Sequence, residues 1–385
     1  MRLLLTSVPG LGHLHPVLPL GLAAAHAGHD VRVATGPDRV QWVRRCGLTA
    51  QPAGLPLAGL RERAAARGLT GPELPRQMFT TIAVPPLVED LLPLVDDWQP
   101  EVLLHEEGEY AAPLVAALRD LPCVTHSWSA PARSTQGRAL LDGPLREVWQ
   151  QYGLTGPPRQ VGALYLDACP PLLQLADLTH VNARVVPVHP SGFDGPPEPA
   201  PEWLAALPRP AIYVTLGTEP AFSRPELLKQ LMNAAAAVAP GVVVTTGPHP
   251  SHAVVAPRPG VHVAQYLPQS LVLPAVDAVV AHGGAGTTVG ALLHGRPQLV
   301  VPGPAPSQQG SATRVVAAGV GLRRDWAEAT PAHLRAAMKE LLERTDLRRA
   351  AEAVRDALTA LPRPKEVVVL LEHEAERRSL RRDVT

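Results

Sequence analysis

Lysine is nearly missing: Lys229, Lys339 and Lys365 are the three in a chain of 385 residues. No Gly-Lys-Ser/Thr triplet occurs, which excludes a P-loop. The 35 basic residues, mostly arginine, are balanced by 35 acidic ones for a formal charge of +0, so no electrostatic footprint for nucleic acid is present. Cysteine is scarce too. Cys46, Cys123 and Cys169 are odd in number and widely spaced, which fits neither a disulfide framework nor a metal clip. They are expected to be buried small hydrophobes. There is no Asp-x-Asp and no His/Cys/carboxylate cluster at ligand spacing, so neither a metal nor another cofactor is expected. No stretch approaches the ~20 apolar residues of a membrane span. The first apolar run breaks at Pro9-Gly10, short of a signal h-region. A cytoplasmic protein without membrane insertion is the expectation, as monomer or homodimer.

Proline is abundant, at 44 residues, about twice the usual ~5%. It falls mostly at segment edges and reads as punctuation. Hydrophobic residues at 46% suffice for two buried sheets. Near the end, Arg377, Arg378, Arg381 and Arg382 follow Glu372, Glu374 and Glu376, as on a solvated helix face.

Residues 3–6 read as a strand, 14–27 as a helix closed by Gly28, and 31–34 as a second strand: one β-loop-α-β unit. Further strands are expected at 102–105 and 124–127 around a helix over 110–118. Segments 54–75 and 131–158 are less regular. After the Pro/Gly-dense stretch 187–210 the alternation restarts, with strands at 211–216, 242–246, 278–281 and 299–301. Helices are expected over 225–238, 286–294, 331–344, 347–361 and 365–382. This predicts an α/β protein of two Rossmann-like, doubly wound parallel-sheet domains facing across a cleft. Their expected extents are 1–195 and 211–364, joined by a linker over 196–210 and followed by a helix over 365–385.

Five segments can carry chemistry. The first is a buried strand ending in His282-Gly283-Gly284-Ala285-Gly286-Thr287-Thr288. Glycines admit a phosphate close to the backbone, and the following helix start offers unpaired N–H groups and a positive dipole end. The second is Gly10-Leu11-Gly12-His13-Leu14-His15-Pro16. It superficially suggests a dinucleotide fingerprint, but His15 stands where the third glycine belongs. It does place His13 after a strand, where a neutral imidazole suits a general base. Third, His105-Glu106-Glu107-Gly108-Glu109 offers carboxylates that can orient such a histidine. The fourth, Thr215-Leu216-Gly217-Thr218, can add donors to the same diphosphate. In the fifth, Gln265-Tyr266-Leu267-Pro268-Gln269, the aromatic can stack on a base.

In this order the five segments resemble family 1 glycosyltransferases of the GT-B fold, especially bacterial enzymes of the erythromycin type that decorate macrolides and other aglycones. The resemblance covers nearly the whole chain. It implies an acceptor-binding N-terminal domain, a nucleotide-sugar-binding C-terminal domain and a last helix that crosses back to the first. It assigns His13 as general base and Glu106 as its partner, with Glu107 or Glu109 as alternatives. Diphosphate contacts fall to Gly12, Gly217, Thr218, His282, Gly283, Gly284, Gly286 and Thr287, and base stacking to Tyr266 with Gln269. Relatives often carry Asp-Gln where this chain has Ser307-Gln308. Gln308 is kept for the donor sugar, while Ser307 replaces an acceptor-only carboxylate by a hydroxyl, which suits a deoxy sugar.

The implied reaction is an inverting, metal-independent transfer from a UDP- or TDP-sugar to a hydroxyl of a small apolar acceptor. Met78, Phe79, Trp128, Trp149 and Tyr152 in the irregular segments suit a greasy acceptor or a domain core alike. A nucleotide-sugar epimerase, a Rossmann dehydrogenase with an incomplete fingerprint, and a non-catalytic nucleotide-binding partner are the rival readings.

Overall fold

The computed structural model describes the chain except residues 132, 176, 219–223, 248–258 and 383–385, and the backbone alone for 378–382. The chain divides into two compact units, Met1–Pro196 with Leu361–Thr385 and Pro197–Ala360.

Unit 1 begins β1 (Arg2–Thr6), α1 (Leu11–His26), β2 (Asp30–Thr35), α2 (Val40–Arg45), β3 (Thr49–Pro52) and α3 (Leu57–Ala66). It continues α4 (Glu73–Gln77), α5 (Val84–Trp98), β4 (Val102–Glu106), α6 (Ala111–Arg119), β5 (Cys123–His126) and α7 (Thr135–Gln151). Two short strands, β6 (Leu164–Asp167) and β7 (Arg184–Pro187), complete its sheet. Unit 2 runs α8 (Glu202–Ala205), β8 (Ala211–Thr215), α9 (Pro225–Ala236), β9 (Gly241–Thr245), β10 (Val261–Ala264), α10 (Gln269–Val272), β11 (Ala278–Ala281) and α11 (Ala285–Leu293). It closes with β12 (Gln298–Val300), α12 (Pro306–Ala317), β13 (Gly321–Arg323), α13 (Pro331–Glu343) and α14 (Thr345–Thr359). The last helix, α15 (Pro364–Arg382), returns to unit 1 and packs on α1.

The strand order is β3-β2-β1-β4-β5-β6-β7 in unit 1 and β10-β9-β8-β11-β12-β13 in unit 2, and every pairing is parallel. Each sheet reverses direction once, between β1 and β4 and between β8 and β11. Side chains alternate across the pleat. Leu3 and Leu5 face a core shared with α1 and α15, while Leu4 faces one shared with α5 and α6. Burial on both faces is why these strands read as continuous apolar runs. Edge strands β3, β10 and β13 are short and more polar, and their sequences gave no comparable signal. Part of the Pro-rich stretch 196–210 is built into unit 2, where Leu204 and Leu207 join the core under Tyr213 and Val243.

The helical run Glu73–Trp98 is long and apolar enough, by length and composition, to cross a membrane. The sequence reading found no such stretch, because Glu89, Asp90, Asp96 and Asp97 interrupt it. Its Val84, Leu87, Val88, Leu91 and Val95 are buried in the unit 1 core, as in an amphipathic core helix.

Val367, Val368 and Leu371 of α15 are buried in the α1 core. Leu371→Ala should therefore cost about 2–5 kcal/mol, read as a lower urea midpoint for unit 1. An unchanged midpoint would show that α15 is only laid on the surface.

Candidate active site

In unit 1 the chemistry gathers at the carboxyl ends of β1 and β4, the neighbouring strands at the reversal. His13 is the third residue of α1. Its ring lies so close to Gly10, the N-cap, that a Cβ there would come within 2.8 Å of it. Glu106, the last residue of β4, is fully buried. Its Oε1 lies 3.1 Å from His13 Nδ1. That approach is oblique: the two atoms are at ion-pair distance without an aligned hydrogen bond. Oε1 also accepts from the Val8 amide at 3.3 Å. Oε2 accepts from the Gly108 amide at 2.6 Å and from the Trp128 indole N–H. Burial alone would raise the Glu106 carboxyl, but the His13 charge, with these hydrogen bonds, outweighs it and holds the group below the ordinary carboxylate range. With Nδ1 turned to a carboxylate, Nε2 is the nitrogen left to take a proton. Phe79 and Trp128 flank the imidazole at ring-centroid distances of 5.2 and 4.6 Å.

The neighbouring acids have other work. Glu107 accepts from the Tyr165 hydroxyl at 2.9 Å and lies 3.6 Å from Arg138. Glu109 accepts from Thr6 at 2.5 Å and from the amides at the start of α6. Burial, resisted by the Thr6 hydrogen bond, pushes its carboxyl up to about 7. Of the three carboxylates, Glu106 is the one placed on His13. His105 is buried against Thr125 and the Glu109 carbonyl. Its pKa falls to about 4 through burial, so it is structural.

Unit 2 repeats the arrangement at β8 and β11. His282 directly follows β11 and is buried. Its ring is seated over two glycines, since a Cβ on Gly217 or Gly284 would approach it to 2.7 or 2.6 Å. Gly217 and Gly283 also have φ of +80° and +89°, which favours glycine. Gly283 backs directly on the Gln308 carbonyl, where a Cβ would fall at 3.1 Å. Helix α11 starts at Ala285 with Gly284 as N-cap, one residue earlier than the sequence spacing suggests. The amides of Ala285, Gly286 and Thr287 are therefore the first-turn donors without an intrahelical acceptor.

Thr287 is buried, and its hydroxyl accepts from Gln269 Nε2 at 2.8 Å. Gln269, expected beside the base, thus braces the glycine turn. Thr218 is exposed just after β8, and Tyr266 is 41% exposed. Gln308 is buried with Oε1 on the Gly303 amide at 2.8 Å, leaving Nε2 without a hydrogen-bond partner among the described residues. Ser307 is exposed in the first turn of α12. Gly12 lies in α1 of unit 1, next to His13. Sequence reasoning took Trp128 only as acceptor wall or core and missed its bond to Glu106.

Residues 61–217 match the N-terminal domain, and residues 229–373 the C-terminal domain, of the family described as erythromycin biosynthesis protein CIII-like. The chain is also 34% identical over 342 residues to the L-demethylnoviosyl transferase of Streptomyces niveus, covering 84% of each. It belongs to this family of glycosyltransferases. It is 30% identical over 392 residues to the elloramycin glycosyltransferase of Streptomyces olivaceus, covering 96% of this chain and 97% of that one. The structure of the glycosyltransferase VinC in complex with dTDP superposes with a TM-score of 0.82 at 26% identity, covering 98% of this chain and 100% of that one. The two parallel-sheet units of this glycosyltransferase are those of the GT-B fold.

Burial lowers His282 from 6.5 to about 4. The unfolded chain then binds a proton that folded unit 2 refuses, so stability is full above 6.5 and is lost as pH falls toward 4. Hydrogen exchange of the β11 amides should report this loss, and His282→Asn should flatten it. Protection factors of those amides that stay constant as pH falls from 6.5 toward 4 would contradict the buried neutral imidazole.

Proposed function

We propose that this glycosyltransferase moves a hexosyl group from a nucleoside-diphosphate sugar to a hydroxyl of a small apolar acceptor, such as a natural-product aglycone, with inversion and without a metal. The observation that carries the reading is the buried Glu106 carboxylate 3.1 Å from His13 Nδ1, at the carboxyl ends of the strands where unit 1 reverses. Unit 2 supplies the partner function, a glycine turn into α11 under a neutral His282. The dTDP complex of VinC supports thymidine as the nucleoside, and Ser307 in place of a carboxylate supports a deoxyhexosyl group.

In this reading His13 Nε2 takes the proton of the acceptor hydroxyl while Glu106 steadies the imidazolium. The oxygen forms its bond to the anomeric carbon as the bond to the diphosphate oxygen breaks, through an oxocarbenium-like state that inverts the centre. Charge growing on the leaving diphosphate meets the α11 amides, with His282 and Thr287 as hydrogen-bonding groups. Tyr266 stacks on the base, and Gly217 and Thr218 add contacts from β8. Gln308 Nε2 reaches the donor sugar. General base catalysis contributes roughly 10²–10⁴-fold, and a donor to developing negative charge on the order of 10²–10³-fold. The His13–Glu106 pair favours a catalyst over a non-catalytic binding protein.

His13→Ala should lower transfer by at least ~10²-fold while leaving nucleotide binding, measured by calorimetry, unchanged; full activity would sink the base assignment. EDTA should leave the rate intact, and a chelator-sensitive, metal-restored rate would overturn the metal-free reading. In a thermal-shift panel TDP should raise the melting point more than UDP. A donor screen won by a fully hydroxylated hexose would count against the deoxyhexosyl reading.

A further inference from the structure

Glu106 has no exposed surface, so both its oxygens need donors. They are divided. Oε1 serves His13 and the Val8 amide, and Oε2 serves the Gly108 amide and the Trp128 indole. The same indole meets the His13 ring edge-on, at a centroid distance of 4.6 Å and an interplanar angle of 76°. Trp128 follows β5, the strand paired with β4, and its ring occupies the space over Gly108. A Cβ on Gly108 would fall 2.1 Å from Trp128 Cζ2. Gly108 has no positive φ, so its missing side chain is explained by the indole, not by the backbone. Phenylalanine would fill much of that space; only tryptophan adds an N–H that reaches Oε2.

We propose that Trp128 is a positioning residue for the His13–Glu106 pair. Its N–H fixes the carboxylate so that Oε1 faces Nδ1, and its ring edge sets the tilt of the imidazole. This rests on the reading of His13 as the base. The other titratable groups around Glu106 are His105, Glu109, Tyr110 and Arg133. The Arg133 guanidinium lies 5.2 Å over the Trp128 ring, so it helps to hold the indole in place.

The test uses the full chain and two variants that reach the same contact by different routes. Trp128→Phe removes the N–H, and Gly108→Ala keeps the indole but places a methyl where its ring lies. Each should lower kcat on the order of 10-fold, the scale of one hydrogen bond to a charged group, with KM for the donor unchanged. Each should also displace the His13 ring signals in the NMR spectrum in the direction that Glu106→Gln does, as the carboxylate loosens. In a Glu106→Gln background neither substitution should have a further effect on kcat. Additive losses in that background, or unmoved His13 ring signals in both variants, would overturn the proposal. A parent protein that transfers no sugar from any donor would defeat the functional reading, and the His13 ring signals would still decide the positioning.

Discussion

Parallel strands on either side of a reversal end side by side while their connecting helices leave on opposite faces, and that constraint shapes both functional regions. In unit 1, Thr6 of β1 pairs with His105 of β4, so whatever follows one strand lies beside whatever follows the other. That adjacency brings His13 and Glu106 together. In unit 2, Thr215 of β8 pairs with Ala281 of β11, and Gly217 is thereby brought under the His282 ring. The same reversal has been given an acid–base pair in one unit and a glycine-lined turn in the other.

The two histidines at these positions are physically different. His13 is partly open and faces a buried anion, so protonating it completes an ion pair. His282 is buried with its pKa lowered by desolvation, so it can offer hydrogen bonds and no charge. In the proposed reading a diphosphate there would be met by dipoles: backbone amides of a helix start and an imidazole held neutral. Such a site would bind an anion without requiring a counter-charge.

The sequence made the central strands legible because β1, β4, β8 and β11 are buried on both faces and leave unbroken apolar runs. The glycine turn at 283–286 was legible as well, since few other constraints place three glycines behind a buried strand. Less could be read where the meaning of a residue depends on a neighbour distant in sequence. Glu106, Glu107 and Glu109 look alike on paper. Only the turn after β4 decides that one meets His13, one Tyr165 and one the start of α6. Gln269 was similarly ambiguous, because its amide is spent on Thr287 across a gap of 18 residues. Trp128 gave no sign beyond its apolarity, since its bond depends on an empty Cβ position at Gly108. Edge strands of three or four residues carried too little periodicity to be seen.

The return of α15 to unit 1 has a consequence for the order in which the protein is made. Val367, Val368 and Leu371 complete the core that β1 and α1 begin, yet the ribosome delivers them after every residue of unit 2. Synthesis ordinarily lets the N-terminal domain mature first. Here unit 2, whose own chain runs without interruption from Pro197 to Ala360, is the part able to close while the first-made unit still waits for its last helix.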